Sequence, residues 1–110
     1  MTKIDGTTIT ITKGDSLEVE LSLAMSDGTP YVPSELDEIR FALKERYSDE
    51  EPLIYKVIPH DTMRLALTSE DTKKLRAKKT PYVYDIQLTA GDVVDTFIYN
   101  AEMYVLEEVD

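Results

Sequence analysis

The chain has 110 residues, no cysteine, and 22 acidic against 12 basic residues, for a net charge of -10 at neutral pH. This is the size of one domain, and its charge repels phosphate backbones, so nucleic acid is not an expected partner of the domain as a whole. Without cysteine there is no disulfide framework, thiolate nucleophile or sulfur-ligated zinc, and stability must come from packing.

Thr7–Thr12 alternates threonine with Ile9 and Ile11, a β-branched run that predicts a strand with one apolar face. Residues 1–6 ahead of it lack the apolar segment of a secretion signal and are allowed for as a flexible N-terminal arm. Lys13-Gly14-Asp15 predicts a turn. Beyond it Leu17, Val19, Leu21, Leu23 and Met25 alternate with polar or small residues, and this period of two again predicts a strand. Asp27-Gly28 opens a connection that runs past Pro30 and Pro33. Within Asp37–Lys44 an inward face of Ile39, Phe41 and Leu43 opposes an outward Arg40 and Lys44. A polar loop over 47–52 leads into Leu53–Ile58, apolar on both parities, as befits a strand at a sheet edge or against a partner.

Pro59-His60-Asp61 breaks that run, and Met63, Leu65 and Leu67 mark the next strand. The period then changes. From Ser69 to Leu75 a hydroxyl residue precedes two acids and lysines follow, the arrangement that a helix dipole favours, so one or two helical turns anchored by Leu75 are expected between strands of opposite sheets. Pro81–Thr89 is the expected central strand, with Tyr82, Tyr84, Ile86 and Leu88 facing inward. Ala90-Gly91-Asp92 turns the chain into a terminal strand over Val94–Val105.

In that last strand Phe97, Tyr99, Ala101, Met103 and Val105 share one parity, while Ile98, Tyr104 and Leu106 make the other more apolar than a solvent face should be. Two explanations stand side by side. A β-bulge near Asn100-Ala101 would reverse the parity. Alternatively, Ile98, Tyr104 and Leu106 form a contact face for another protein or subunit.

Seven short strands, turns at intervals of about ten residues and one short helix before the sixth strand predict a single all-β domain over residues 1–110, an immunoglobulin-like two-sheet β-sandwich. Leu67–Thr72 resembles the segment leading into the sixth strand of immunoglobulin variable domains, where a tyrosine bonds back to the corner, a role open to Tyr82 or Tyr84.

Little in the sequence points to catalysis. His60 is the only histidine, and no serine lies in a Gly-x-Ser-x-Gly setting. The four glycines stand apart in turns and make no phosphate loop. The acids of 49–51, Asp15, Asp27, Asp61 and Asp92 do not match a calcium-loop spacing, and Asp85 is expected to pair with Arg40 or Lys44. No catalytic residue, cofactor or metal is therefore assigned. Lys73, Lys74, Arg76, Lys78 and Lys79 crowd into seven positions, read either as a solvated surface or as one that steers docking.

Taken together, Gly14-Asp15-Ser16 with its strand, Asp27-Gly28 with Tyr31, Ile39–Lys44, Leu67–Thr72, Tyr82–Leu88 and Asp95-Thr96-Phe97 resemble small prophage proteins of Gram-positive bacteria. The likeness is to the N-terminal domain of phage baseplate upper proteins, a β-sandwich that attaches receptor-binding parts to a tail. The resemblance implies a non-enzymatic structural protein that docks with other phage proteins or with itself, made in the bacterial cytoplasm and destined for the tail of the virion. No helical or receptor-binding extension follows the last strand, so a stand-alone accessory component is expected. No run approaches the ~18 apolar residues of a membrane span, so no membrane partner is expected. The alternative from another class is a carbohydrate-binding module using Tyr31, Tyr47 and Tyr55 beside acidic loops.

Overall fold

The computed structural model describes residues 2–24, 27–32 and 34–107. Met25, expected to close the second strand, and the last acids of the tail lie outside these residues. Eight strands and one helix follow in order: β1 Thr2–Asp5, β2 Thr8–Thr12, β3 Leu17–Glu20, β4 Glu38–Lys44, β5 Ile54–Ile58, β6 Arg64–Leu67, α1 Ser69–Lys73, β7 Tyr82–Ala90 and β8 Val93–Leu106. They form a six-stranded sheet ordered β1-β2-β8-β7-β4-β5 and a two-stranded sheet of β3 and β6. The expected all-β sandwich is the fold observed. Placing β4, β7 and β8 side by side in one layer and pairing β3 with β6 in the other is the immunoglobulin-like order. The eighth strand is β1, formed by residues allowed for as an arm; all four are exposed, and β2 alone pairs with them. Its presence makes the helix precede the seventh strand rather than the sixth.

β7 lies inside the larger sheet, antiparallel to both β4 and β8. Its inward Tyr82, Tyr84, Ile86 and Leu88 are buried, as its alternation predicts. Ile39, Phe41 and Leu43 of β4, Ile9 and Ile11 of β2, and Met103 and Val105 of β8 extend the same apolar layer. Leu17, Leu65 and Leu67 close over it from the smaller sheet. Each such side chain contributes about 1.5–3 kcal/mol of burial free energy. β3 is shorter than the alternation suggests. Leu21 N still bonds Met63 O at 2.7 Å, and Leu23 is buried. The connection that follows covers the core with Leu23 and Tyr31.

α1 crosses between the sheets at one end of the sandwich. Thr68 caps it: its side chain accepts from Asp71 N at 3.1 Å while the Asp71 carboxylate accepts from Thr68 N at 2.8 Å. Thr72 is fully buried, donating to Asp15 O at 2.8 Å and accepting from Gly14 N at 3.0 Å, so the helix is stitched to the β2–β3 turn. Leu75 anchors the segment as expected. The corner tyrosine is Tyr82, whose hydroxyl accepts from Arg76 N at 2.7 Å and donates to Arg76 O at 3.0 Å. Tyr84 instead donates to Thr7 O. Among the described residues, no helix is long and apolar enough to cross a membrane.

Candidate functional site: the outer face of the larger sheet

One face of the larger sheet has no layer over it among the described residues. β4 presents Arg40, Ala42 and Lys44 there, β7 presents Val83, Asp85 and Gln87, and β5 presents Tyr55 and Val57, the parity opposite to the core-facing one; of these Ala42 alone is buried. Arg40 is the centre of this face. Its Nη1 lies 3.4 Å from Asp85 Oδ1, its Nη2 donates to Gln87 Oε1, and its guanidinium sits 5.7 Å from the Tyr55 ring centroid. The expected partner of Asp85 is thus Arg40. Tyr55 donates to Glu38 Oε1 at 3.2 Å, and partial burial, with that carboxylate beside it, raises the phenol's pKa.

Beside Arg40 the small side chain of Ala42 leaves an open hollow of about 610 Å³, lined by Arg40, Lys44, Glu50, Pro52, Tyr55 and Asp85. On the far side of Ala42 stands a second aromatic group. Tyr47 and Tyr99 meet edge to face with centroids 5.5 Å apart, and their hydroxyls are hydrogen bonded. That bond, with a smaller effect of burial, raises the pKa of Tyr99. Both rings remain more than half exposed, at 58% and 60%.

Tyr99 reaches this face through an irregularity in β8. Between the partners of Gln87 and Ile86 the strand carries one extra residue, Phe97, and between the partners of Ile86 and Tyr84 it carries another. At the second irregularity Asn100 has φ 51°, the left-handed region that asparagine tolerates better than most residues. The expected bulge is therefore present. It brings Ile98 opposite Ile86 and against the core, while Phe97 packs on Tyr31 with centroids 5.5 Å apart. Tyr104 and Leu106 stay on the other side, next to Thr10 and Thr12 of β2, so the three contact candidates are not brought together.

Tyr31 is likewise separated from Tyr47 and Tyr55. Its hydroxyl donates to Asp37 Oδ2, and burial, reinforced by that carboxylate, pushes its pKa up to about 12. His60 is exposed in the β5–β6 turn. Among the described residues, no three His, Asp or Glu side chains gather closely enough to hold a metal ion. Tyr99 is the site residue that strand parity misplaces, and Asn100 after it is the local signal of the bend. The inward Lys56 of β5 is a second surprise: it reaches Asp71 Oδ2 at 2.9 Å under the helix. No protein-family model matches the chain, and no curated protein matches it in sequence.

Proposed function

We propose that the protein is a non-enzymatic phage structural component, an accessory of the tail or baseplate that works by docking the uncovered face of its larger sheet on neighbouring proteins. The observation that carries this reading is the grouping of Tyr47, Tyr55, Val57 and Tyr99 as large exposed side chains around the Arg40–Asp85 pair. Aromatic residues and arginine are the types that dominate protein interfaces. The resemblance to the baseplate module supplies the setting. Arg40 is already held by Asp85, Gln87 and the Tyr55 ring, so little side-chain freedom remains to be lost on binding. Replacing Tyr99 with glutamate tests this reading. Incorporation into particles should be lost while the thermal transition of the isolated protein stays nearly unchanged. Normal incorporation of the folded variant would contradict docking through this face.

A second reading, carbohydrate binding, has one observation in its favour. The exposed Tyr55 ring flanks a hollow whose other walls carry Arg40, Lys44, Glu50 and Asp85, and sugars are held by an aromatic face together with hydrogen-bonding groups. Titration calorimetry with host-wall polysaccharide separates the two, since a pure docking scaffold gives no binding heat.

A further inference from the structure

The larger sheet ends on one side in β1, whose outer edge has no strand beside it among the described residues. The hairpin that forms β1 decides which backbone groups that edge offers. Asp5 and Thr8 flank a two-residue loop in which Gly6 has φ 63°, a turn whose closing bond runs from Thr8 N to the Asp5 carbonyl. Asp5 and Lys3 therefore turn their N–H and C=O groups toward β2, and Thr2 and Ile4 turn theirs outward. The side chains alternate as well. Ile4 lies opposite the buried Ile9 on the core side of the sheet, yet stays 45% exposed at the edge. Lys3 and Asp5 lie opposite Thr10 and Thr8 on the outer side, and neither has an ion pair within the chain among the described residues. The far edge of the sheet differs: β5 carries Lys56 on its inward face, a charge that discourages strand addition, whereas the inward residues of β1 are uncharged.

An antiparallel copy of β1 laid on this edge has few registers open to it, because its outward groups also sit on Thr2 and Ile4. A two-fold axis centred on Lys3 sets ammonium against ammonium, and one centred on Asp5 sets carboxylate against carboxylate. Centring on Thr2 leaves both charges unmatched. Centring on Ile4 places Lys3 opposite Asp5 of the second copy at two symmetric positions on the outer side, and Ile4 opposite its own counterpart on the core side. The strands behind do not spoil this match. β2 carries no charge from Thr8 to Thr12, and the nearest charged residue of β8, Glu102, stands beyond Thr8 on the same side as Asp5, where it too favours an incoming lysine. Lys13 falls past Thr2, where the second copy offers only its Gly6-Thr7 turn.

We propose that two copies of the chain join edge to edge through β1, antiparallel about a two-fold axis at Ile4, into one continuous sheet of twelve strands, six from each copy. The contact is isologous and closes at the dimer. Ile4 exchanges two backbone hydrogen bonds with its counterpart, so edge groups that otherwise face water gain partners, and the two isoleucine side chains shield each other. A four-residue edge buries far less than the ~1,000 Å² of a lasting interface, so the dimer is weak and depends on concentration. It turns the uncovered faces of both copies the same way, but it does not depend on docking through those faces.

Sedimentation velocity from micromolar to millimolar chain tests the proposal, in salt of about 0.15 M, where a Debye length of ~8 Å screens the net charge of -10 more than it weakens pairs in contact. The native chain should sediment faster as concentration rises, up to the dimer. Lys3→Asp and Asp5→Lys should each lose that rise, because each sets like charges opposite one another. Mixed in equal amounts the two should regain it as a heterodimer, and the double variant Lys3→Asp with Asp5→Lys should regain it alone. Both positions are exposed, and an unchanged thermal transition confirms that each variant is folded. Since the chain has no cysteine, Ile4→Cys gives a second reading. Cα atoms across a hydrogen-bonded antiparallel pair stand about 5.5 Å apart, within disulfide reach, so mild oxidation should link copies through Ile4→Cys far faster than through Thr2→Cys. A native chain monomeric at millimolar concentration, association indifferent to Lys3→Asp and Asp5→Lys, an equal mixture of the two no more associated than either alone, or equal linking through Thr2→Cys would overturn the proposal.

Discussion

Asp71 is the carboxylate on which the α1 corner depends. Burial alone would raise its pKa, but the Lys56 ammonium and the hydrogen bonds from Thr68 outweigh burial and hold it below the ordinary 3.8. Because the folded value is depressed, its contribution to stability is complete above 3.8 and is lost as pH falls through the lower folded value. The melting temperature should therefore drop on acidification below about pH 4, and Asp71→Asn should flatten that drop, as calorimetry over this range would show. Thr68→Ala removes the cap and should cost about 1 kcal/mol in denaturant unfolding. Tyr82→Phe strips both corner bonds from Arg76 and should cost about 1–3 kcal/mol, measured the same way.

At the scale of elements, β8 determines what the larger sheet shows to solvent. Asn100 stands at φ 51°, so Asn100→Val should cost about 1–2 kcal/mol while Asn100→Gly should be tolerated, with thermal unfolding as the measure. Strand parity made β4 and β7 readable from sequence, because both are long, regular and buried on one face. The excess of apolar residues in β8 was also visible, but not how it divides. Two extra residues in the strand send Ile98 inward and Tyr99 outward while Tyr104 and Leu106 keep their side. That division depends on where the ladder slips, a property of the pairing with β7. β5 was ambiguous for a related reason. Its inward face holds Lys56 between Ile54 and Ile58, and only the carboxylate of α1 explains a cation there. An inward charge on an edge strand also discourages further strand pairing. β1, with all four residues exposed, has no buried face from which a strand could be predicted.

At the scale of the molecule, closing the sandwich buries one face of the larger sheet and leaves its other face without a covering layer among the described residues. The three sequence candidates then divide by position. Ile98→Glu should lower the thermal transition by several degrees because it places a charge against the core, whereas Tyr104→Glu should leave folding nearly intact and impair assembly. The central claim, that this chain is a docking part of a phage tail, is tested most directly by gold-labelled antibody against the chain on particles from an induced lysogen carrying its gene. The account predicts label at a fixed point on the tail. Complete particles without label, while the chain remains free in the lysate, would contradict it.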